Sequence, residues 1–277
     1  METTVRSILG GHLQTQMLLN KPIEILQNST LNEKFNVAAN ETLNEGEVPS
    51  VKYITIGNGG HYMAVTANNI QYPKSHVHKP TDFALFNHIP FVCREIDNDL
   101  SSTERLKYRL RVLDYINGKP YAVYYAKVLD LSEAKPIVNI VSIKDGVTSL
   151  KPFEPTLSNL SPTPTVLKTE GVNTTTGDYL ASNSIASLVM NTNDITELLN
   201  ACEIMYGDSH VGIISEIGLC TGFDRQVNGD FNGVQQKYTE VIACQIYSTS
   251  ACFHDMSSTG SKLEITINIG AVEQLLV

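Results

Sequence analysis

The sequence predicts a mainly β protein with minor α content, arranged as two β-sandwich-like domains behind a partly helical N-terminal arm. Three observations predict it. Leu106, Tyr108, Leu110 and Val112 alternate with Arg105, Lys107, Arg109 and Arg111, and a period of two is the period of a strand. The turn dipeptides Asn117-Gly118 and Asp145-Gly146 each follow a β-prone run, and Asn117-Gly118 suits the positive φ angles of a two-residue hairpin. Pro152, Pro155, Pro162 and Pro164 then crowd a polar stretch that no central sheet could accept.

In chain order, residues 3–27 place Val5, Ile8, Leu9, Leu13 and Met17 at the spacing of one helical face, although Gly10 and Gly11 weaken a helix by about 1 kcal/mol each. Residues 28–49 are rich in Asn and Glu and read as an extended arm that needs a partner, so residues 1–50 form the first segment. Strand-like VKYITI opens a β domain over residues 51–150, with a turn at Gly57-Asn58-Gly59-Gly60 and a long hairpin through Asn117-Gly118. A proline-rich linker follows at residues 151–165. The last domain, residues 166–277, holds one helix that starts at Asp194 and Glu197, carries Ile195, Leu198, Leu199, Cys202 and Met205 on one face, and stops at Gly207. Its other elements are the β runs VGIISEIGL, TEVIACQIYST and KLEITINIG.

Charge and cysteine usage exclude several classes. The net charge of −9, with a pI near 5.2, sets a field that repels phosphate, so direct nucleic-acid binding is not expected. No apolar run approaches the ~20 residues of a membrane-spanning helix, and the N-terminus lacks the order of a signal peptide, so a soluble protein made in the cytoplasm is expected. The five cysteines are odd in number and never spaced C-x-x-C, which reads as buried thiols rather than disulfides or a zinc site.

No residue pattern carries catalysis, a cofactor or a metal. His76 and His78 share a strand face if extended and have His61 and His88 nearby, but they lie between Pro73 and Pro80 without a carboxylate or thiol at ligand spacing. Ser215 lacks the flanking glycines of a nucleophile elbow, and Gly57–Gly60 lacks the Lys-Ser/Thr of a phosphate loop. Glu95, Asp97, Asp99 and Glu104 do not match a calcium loop and read as solvated. The candidate partner interface is therefore the helical face Val5, Ile8, Leu9, Leu13 and Met17, together with Arg105, Lys107, Arg109 and Arg111 as a basic ridge that would meet an acidic partner or face solvent.

Three stretches resemble segments of structural proteins from tailed-bacteriophage virions: YITIGNGGHYMAV, FALFNHIPFVCREIDNDLSSTERLKYRLRV, and ISEIGLCTGFDR with the following YTEVIACQIYS. Together they cover about a third of the chain. The layout of β domain, proline-bearing link and β domain is similar to the T4-type baseplate wedge family usually called gene product eight. That resemblance implies a non-enzymatic subunit of a tail or baseplate, a homo-oligomer (a dimer in that family) that touches other wedge or tail-attachment proteins. It transfers no binding residue. Two other readings compete. A carbohydrate-binding receptor or fibre-collar module would want exposed aromatic platforms, yet tryptophan is absent. A metal-dependent hydrolase would gather His61, His76, His78 and Asp99 around one pocket.

Overall fold

The computed structural model describes residues 3–144, 147–162, 175–231, 234–258 and 262–276. The protein is mainly β with minor α. By residue contacts it divides into two units: residues 1–129 with 189–264, and residues 130–188 with 265–277.

The first unit begins with β1 (Thr3–Arg6), which passes through the N-cap Ser7 into α1 (Ile8–Leu18). Helix α2 (Leu31–Phe35) starts on a reciprocal Thr30–Glu33 capping box. Next come β2 (Ser50–Gly57), the ribbon strands β3 (His61–Val65) and β4 (Gln71–Ser75), and the short β5 (His88–Ile89) and β6 (Val92–Glu95). Helix α3 (Ser102–Arg105) leads into the hairpin β7 (Tyr108–Ile116) and β8 (Lys119–Val128). Asn117 and Gly118 turn that hairpin with φ of 51° and 79°, as the dipeptide predicts.

The second unit holds β9 (Ile137–Lys144), β10 (Val147–Pro152), α4 (Leu157–Leu160), most of β11 (Thr175–Asn191) and most of β14 (Lys262–Leu276), whose strands order as β10-β9-β11-β14. Between β11 and β14 the chain contributes three elements to the first unit: α5 (Thr192–Tyr206), β12 (Ile213–Phe231) and β13 (Val234–Asp255).

In the first unit an eight-stranded sheet runs β1-β13-β12-β2-β8-β6, with β5 on β2 and β7 on β8. Its centre is the β12–β13 hairpin, bent by register shifts at Ile214/Glu216, Leu219/Cys220 and Thr221/Phe223. Tyr53, Ile54, Leu110, Val241 and Ile246 are fully buried around it, and all five cysteines are buried thiols. Helix α5 spans the predicted segment, with Ile195, Leu198 and Cys202 inward and Gly207 as its left-handed cap, although Asn191 rather than Asp194 is the N-cap.

Two expectations change. The predicted boundary at residues 151–165 is not where the contacts divide, because β2 pairs with β12 from Gly57↔Glu216 to Ser50↔Gly222 and so joins strands from both halves of the sequence. Local patterns identify strands but not their partners. Pro152 instead ends β10, Pro155 precedes α4 and Pro162 follows it within the second unit; residues 163–165, like Asp145-Gly146, lie outside the described residues.

The N-terminal segment is also not an extended arm. β1 pairs with β13, Leu31 is fully buried, and the Asn32 side chain donates to the Val37 and Val241 carbonyls (2.9 and 2.7 Å) while accepting from Cys244 N–H (2.8 Å). Gly10 permits this docking: a Cβ there would lie 2.6 Å from Tyr247 Cδ2. The glycine that weakens the helix locally is what lets it lie against the sheet.

Candidate functional site

Among the described residues, β3 and β4 pair as strands only with each other, in register from His61↔Ser75 to Val65↔Gln71. The pairing places Met63, Val65 and Pro73 on one face and Tyr62, Ala64, Tyr72 and Lys74 on the other. Thr66 closes the tip, bonding Ile70 in both directions. Met63 is 50% exposed, Val65 57% and Ile70 62%, with Tyr62 and Tyr72 both at 41%. A two-stranded ribbon with apolar side chains on both faces has little core of its own and is marginal in water. Its order must come from its root.

That root is one carboxylate. Glu216 on β12 is fully buried, and its Oε1 accepts from the N–H groups of Gly59 and Asn87, both at 2.9 Å. Its Oε2 accepts from Phe86 N–H at 2.9 Å and meets His78 Nε2 at 2.8 Å. Both ends of the ribbon segment and the following loop thus converge on one side chain. The glycine turn exists for this approach, since a Cβ on Gly57, Gly59 or Gly60 would come within 2.5, 3.1 or 2.8 Å of Glu216. Gly60 N–H also donates to Ser215 Oγ (3.0 Å), and His76 N–H donates to the Gly60 carbonyl (2.8 Å).

His78 bridges two carboxylates, with Nδ1 3.0 Å from Asp82 Oδ2 and Nε2 on Glu216. Only the imidazolium can donate at both nitrogens. Burial by itself would lower the His78 pKa, but the hydrogen bonds and charges of Glu216 and Asp82 outweigh it and hold the pKa above its ordinary value. Phe86 stacks flat on the ring at 3.9 Å. His88 behaves oppositely: burial, with the charges of Lys34 and His78, pushes it down to about 3, so it stays neutral and accepts from Leu85 N–H at 3.1 Å. Burial also lowers His61, whose ring meets Phe253 of β13 edge-on at 5.0 Å.

A second buried carboxylate organises the β7–β8 hairpin. Glu240 on β13 accepts from the N–H groups of Leu110 (2.7 Å), Arg111 (3.0 Å) and Val241 (2.8 Å). Burial pushes its pKa up against those bonds. Leu110 adopts φ of 53°, so the strand alternation breaks there and both flanking arginines turn inward. Arg109 forks onto Asp224 at 2.6 and 3.0 Å, where Lys52 and Tyr53 also bind, and Arg111 bonds Asp99 at 2.8 and 3.1 Å.

The expected interface residues therefore separate. Arg109 and Arg111 are interior ion-pair partners, Arg105 is half-buried in α3, and Lys107 is exposed, so no continuous basic ridge forms. Leu9 and Leu13 pack inward, Val5 is half-buried opposite Thr249, and only Ile8 and Met17 of that group remain exposed. Nor does the hydrolase set converge. His78 spends both nitrogens on Glu216 and Asp82, His76 lies against Tyr62 and Phe86, and Asp99 is held by Arg111 and Tyr124. Among the described residues no group of three or more His, Cys, Asp or Glu side chains is placed to hold a metal ion, and no helix is long and apolar enough to cross a membrane.

Glu216 and Glu240 were invisible to motif reasoning because their partners are backbone N–H groups far away in sequence. A signal was present, however: each is the lone acid inside an apolar strand run, IISEIGLC and TEVIAC, and a charge at such a position must be paired. The Glu216 carboxylate and both ring nitrogens of His78 are taken up in internal bonds. What the arrangement does is fix the base of an exposed apolar ribbon. No curated protein and no solved structure matches this chain. The model of a family described as a family of unknown function (DUF7208) matches residues 1–277, and the chain belongs to that family.

Proposed function

We propose that this protein is a structural subunit of a tailed-bacteriophage virion, a baseplate wedge or tail-attachment component that works by binding neighbouring protein copies and catalyses nothing. The observation that carries the reading is the β3–β4 ribbon: a rigidly rooted element whose apolar side chains face solvent on both sides. Exposed apolar patches of that kind mark contact surfaces. The polar chemistry of the root supports the same reading, since its groups are consumed in internal bonds and stiffen the ribbon instead of meeting a ligand. The particle type comes from the resemblance of three stretches to tailed-phage virion proteins, and all three belong to the first unit.

Quantitative mass spectrometry of density-purified particles tests this. A subunit of a symmetric assembly is expected at a fixed copy number relative to the major capsid protein, in every preparation. Recovery only from the soluble lysate, with none in particles, would overturn the reading.

A further inference from the structure

An apolar cleft lies elsewhere on the same chain. Ile23, Ile25, Leu26 and Leu43 line a cleft of about 310 Å³ whose rim carries Glu33 and Glu41 and whose floor includes Ala243 of β13. That volume falls where ligand-sized pockets begin, ~300 Å³. The charges are opposite in sign. From Asn58 to Thr81 there is no acid, and Lys74 and Lys79 are the fixed charges; from Pro22 to Pro49 there are five acids (Glu24, Glu33, Glu41, Glu45, Glu47) against Lys34. Arg225 pairs with Glu41 and Glu47, which still leaves the cleft side at −3 (−5 with Lys34 and Arg225 added).

The ribbon does not occupy that cleft in its own molecule: Val65, Ile70 and Tyr72 are exposed and none of them lines it. Its root lies beside Phe253, and the cleft floor is Ala243, ten residues away along β13. A second copy can supply the seat.

We infer that the tip of the β3–β4 ribbon, through Val65, Ile70 and Tyr72, docks in the Leu26–Leu43 cleft of a second copy of this chain, with Lys74 meeting its glutamates. This deepens the proposed function, on which it rests. The two surfaces differ, so the contact is heterologous: each copy offers one ribbon and one cleft, and repetition closes a ring or grows a filament. Apolar contact supplies affinity and the opposite charges supply orientation.

Light scattering coupled to size exclusion on the full chain tests it. Wild type should self-associate with rising concentration, and association should weaken several-fold between about 0.05 and 0.5 M salt, where the screening length contracts from more than 10 Å to a few ångströms. Ile70→Asp should lose the ribbon and Leu26→Arg the cleft, each giving folded monomers by circular dichroism. Mixed together, the two variants should form a dimer and stop there, because each retains one functional half. Unchanged assembly of either variant, a mixture that stays monomeric, or a wild type that is monomeric throughout would overturn the inference. Particle incorporation of Ile70→Asp separates the two claims: if wild type is monomeric yet present in particles, the assembly role stands and another protein fills the ribbon's seat.

Discussion

His78 Nε2 lies 2.8 Å from the carboxylate of Glu216, both side chains being essentially sealed from solvent, and this pair ties the exit of the β3–β4 ribbon to the central strand of the sheet. Glu216 accepts from four donors and has no oxygen to spare. Glu216→Gln must therefore turn an amide NH₂ toward the N–H groups of Gly59 and Asn87 or, flipped, toward that of Phe86, where His78 has to give up its Nε2 proton to accept from the amide. Losing a buried charged partner in this way costs ~3–5 kcal/mol. At about 2–4 °C per kcal/mol for a unit of this size, calorimetry should show the melting temperature falling by roughly 6–20 °C. A change within a degree would mean that the carboxylate is dispensable.

Stability should depend on pH through two histidines of opposite sign. His78 has a folded pKa raised above its unfolded value near 6.5, so its contribution is fully present below that pH and disappears as pH rises through the folded pKa. His88 has a folded pKa of about 3, so its contribution is present above about 6.5 and is lost as pH falls toward 3, reaching a cost of about 2 kcal/mol near pH 5. Urea unfolding across pH 4–9 should show both limbs. His78→Gln should flatten the alkaline limb and His88→Gln the acidic one; removal of neither would refute the assignment.

The two adjacent glycines of α1 should respond in opposite directions to alanine. At Gly11 a Cβ meets nothing within 4 Å, so Gly11→Ala should gain the helix propensity difference of about 0.5–1 kcal/mol. At Gly10 the same gain is opposed by overpacking against Tyr247 at 2.6 Å, which costs ~1–3 kcal/mol, so Gly10→Ala should be net destabilising by up to about 2 kcal/mol. Chemical denaturation of the two variants side by side decides it.

Substitutions on the ribbon should leave the fold intact. Met63, Val65 and Ile70 are half or more exposed, so replacing each with Ser should change the unfolding free energy of the free protein, read by urea denaturation, by no more than the ±0.5 kcal/mol usual for surface sites. A large loss would mean that these side chains serve the core rather than a partner.

The elements were more legible than their arrangement. Asn117-Gly118, Gly207 and the apolar face of α5 announced a hairpin and a helix because turn chemistry and periodicity are local. The β2–β12 pairing joins residues more than 150 apart, and no local pattern encodes it. The basic row misled for a related reason: alternation assigns Arg109 and Arg111 to an outward face, but Glu240 captures Leu110 N–H and the left-handed turn at Leu110 brings both arginines inside. The ribbon root followed the same rule. Its histidines and glycines were visible in sequence, whereas the carboxylate that gathers them sits some 140 residues downstream of His78.

Hydroxyl-radical footprinting of free protein and purified particles tests most directly whether the ribbon is a contact element. Tyr62, Met63 and Tyr72, all exposed in the free chain, should be oxidised at least several-fold more slowly in particles, while exposed side chains elsewhere, such as Tyr115, serve as internal reference. Equal labelling of the ribbon in both states would contradict an assembly role for it.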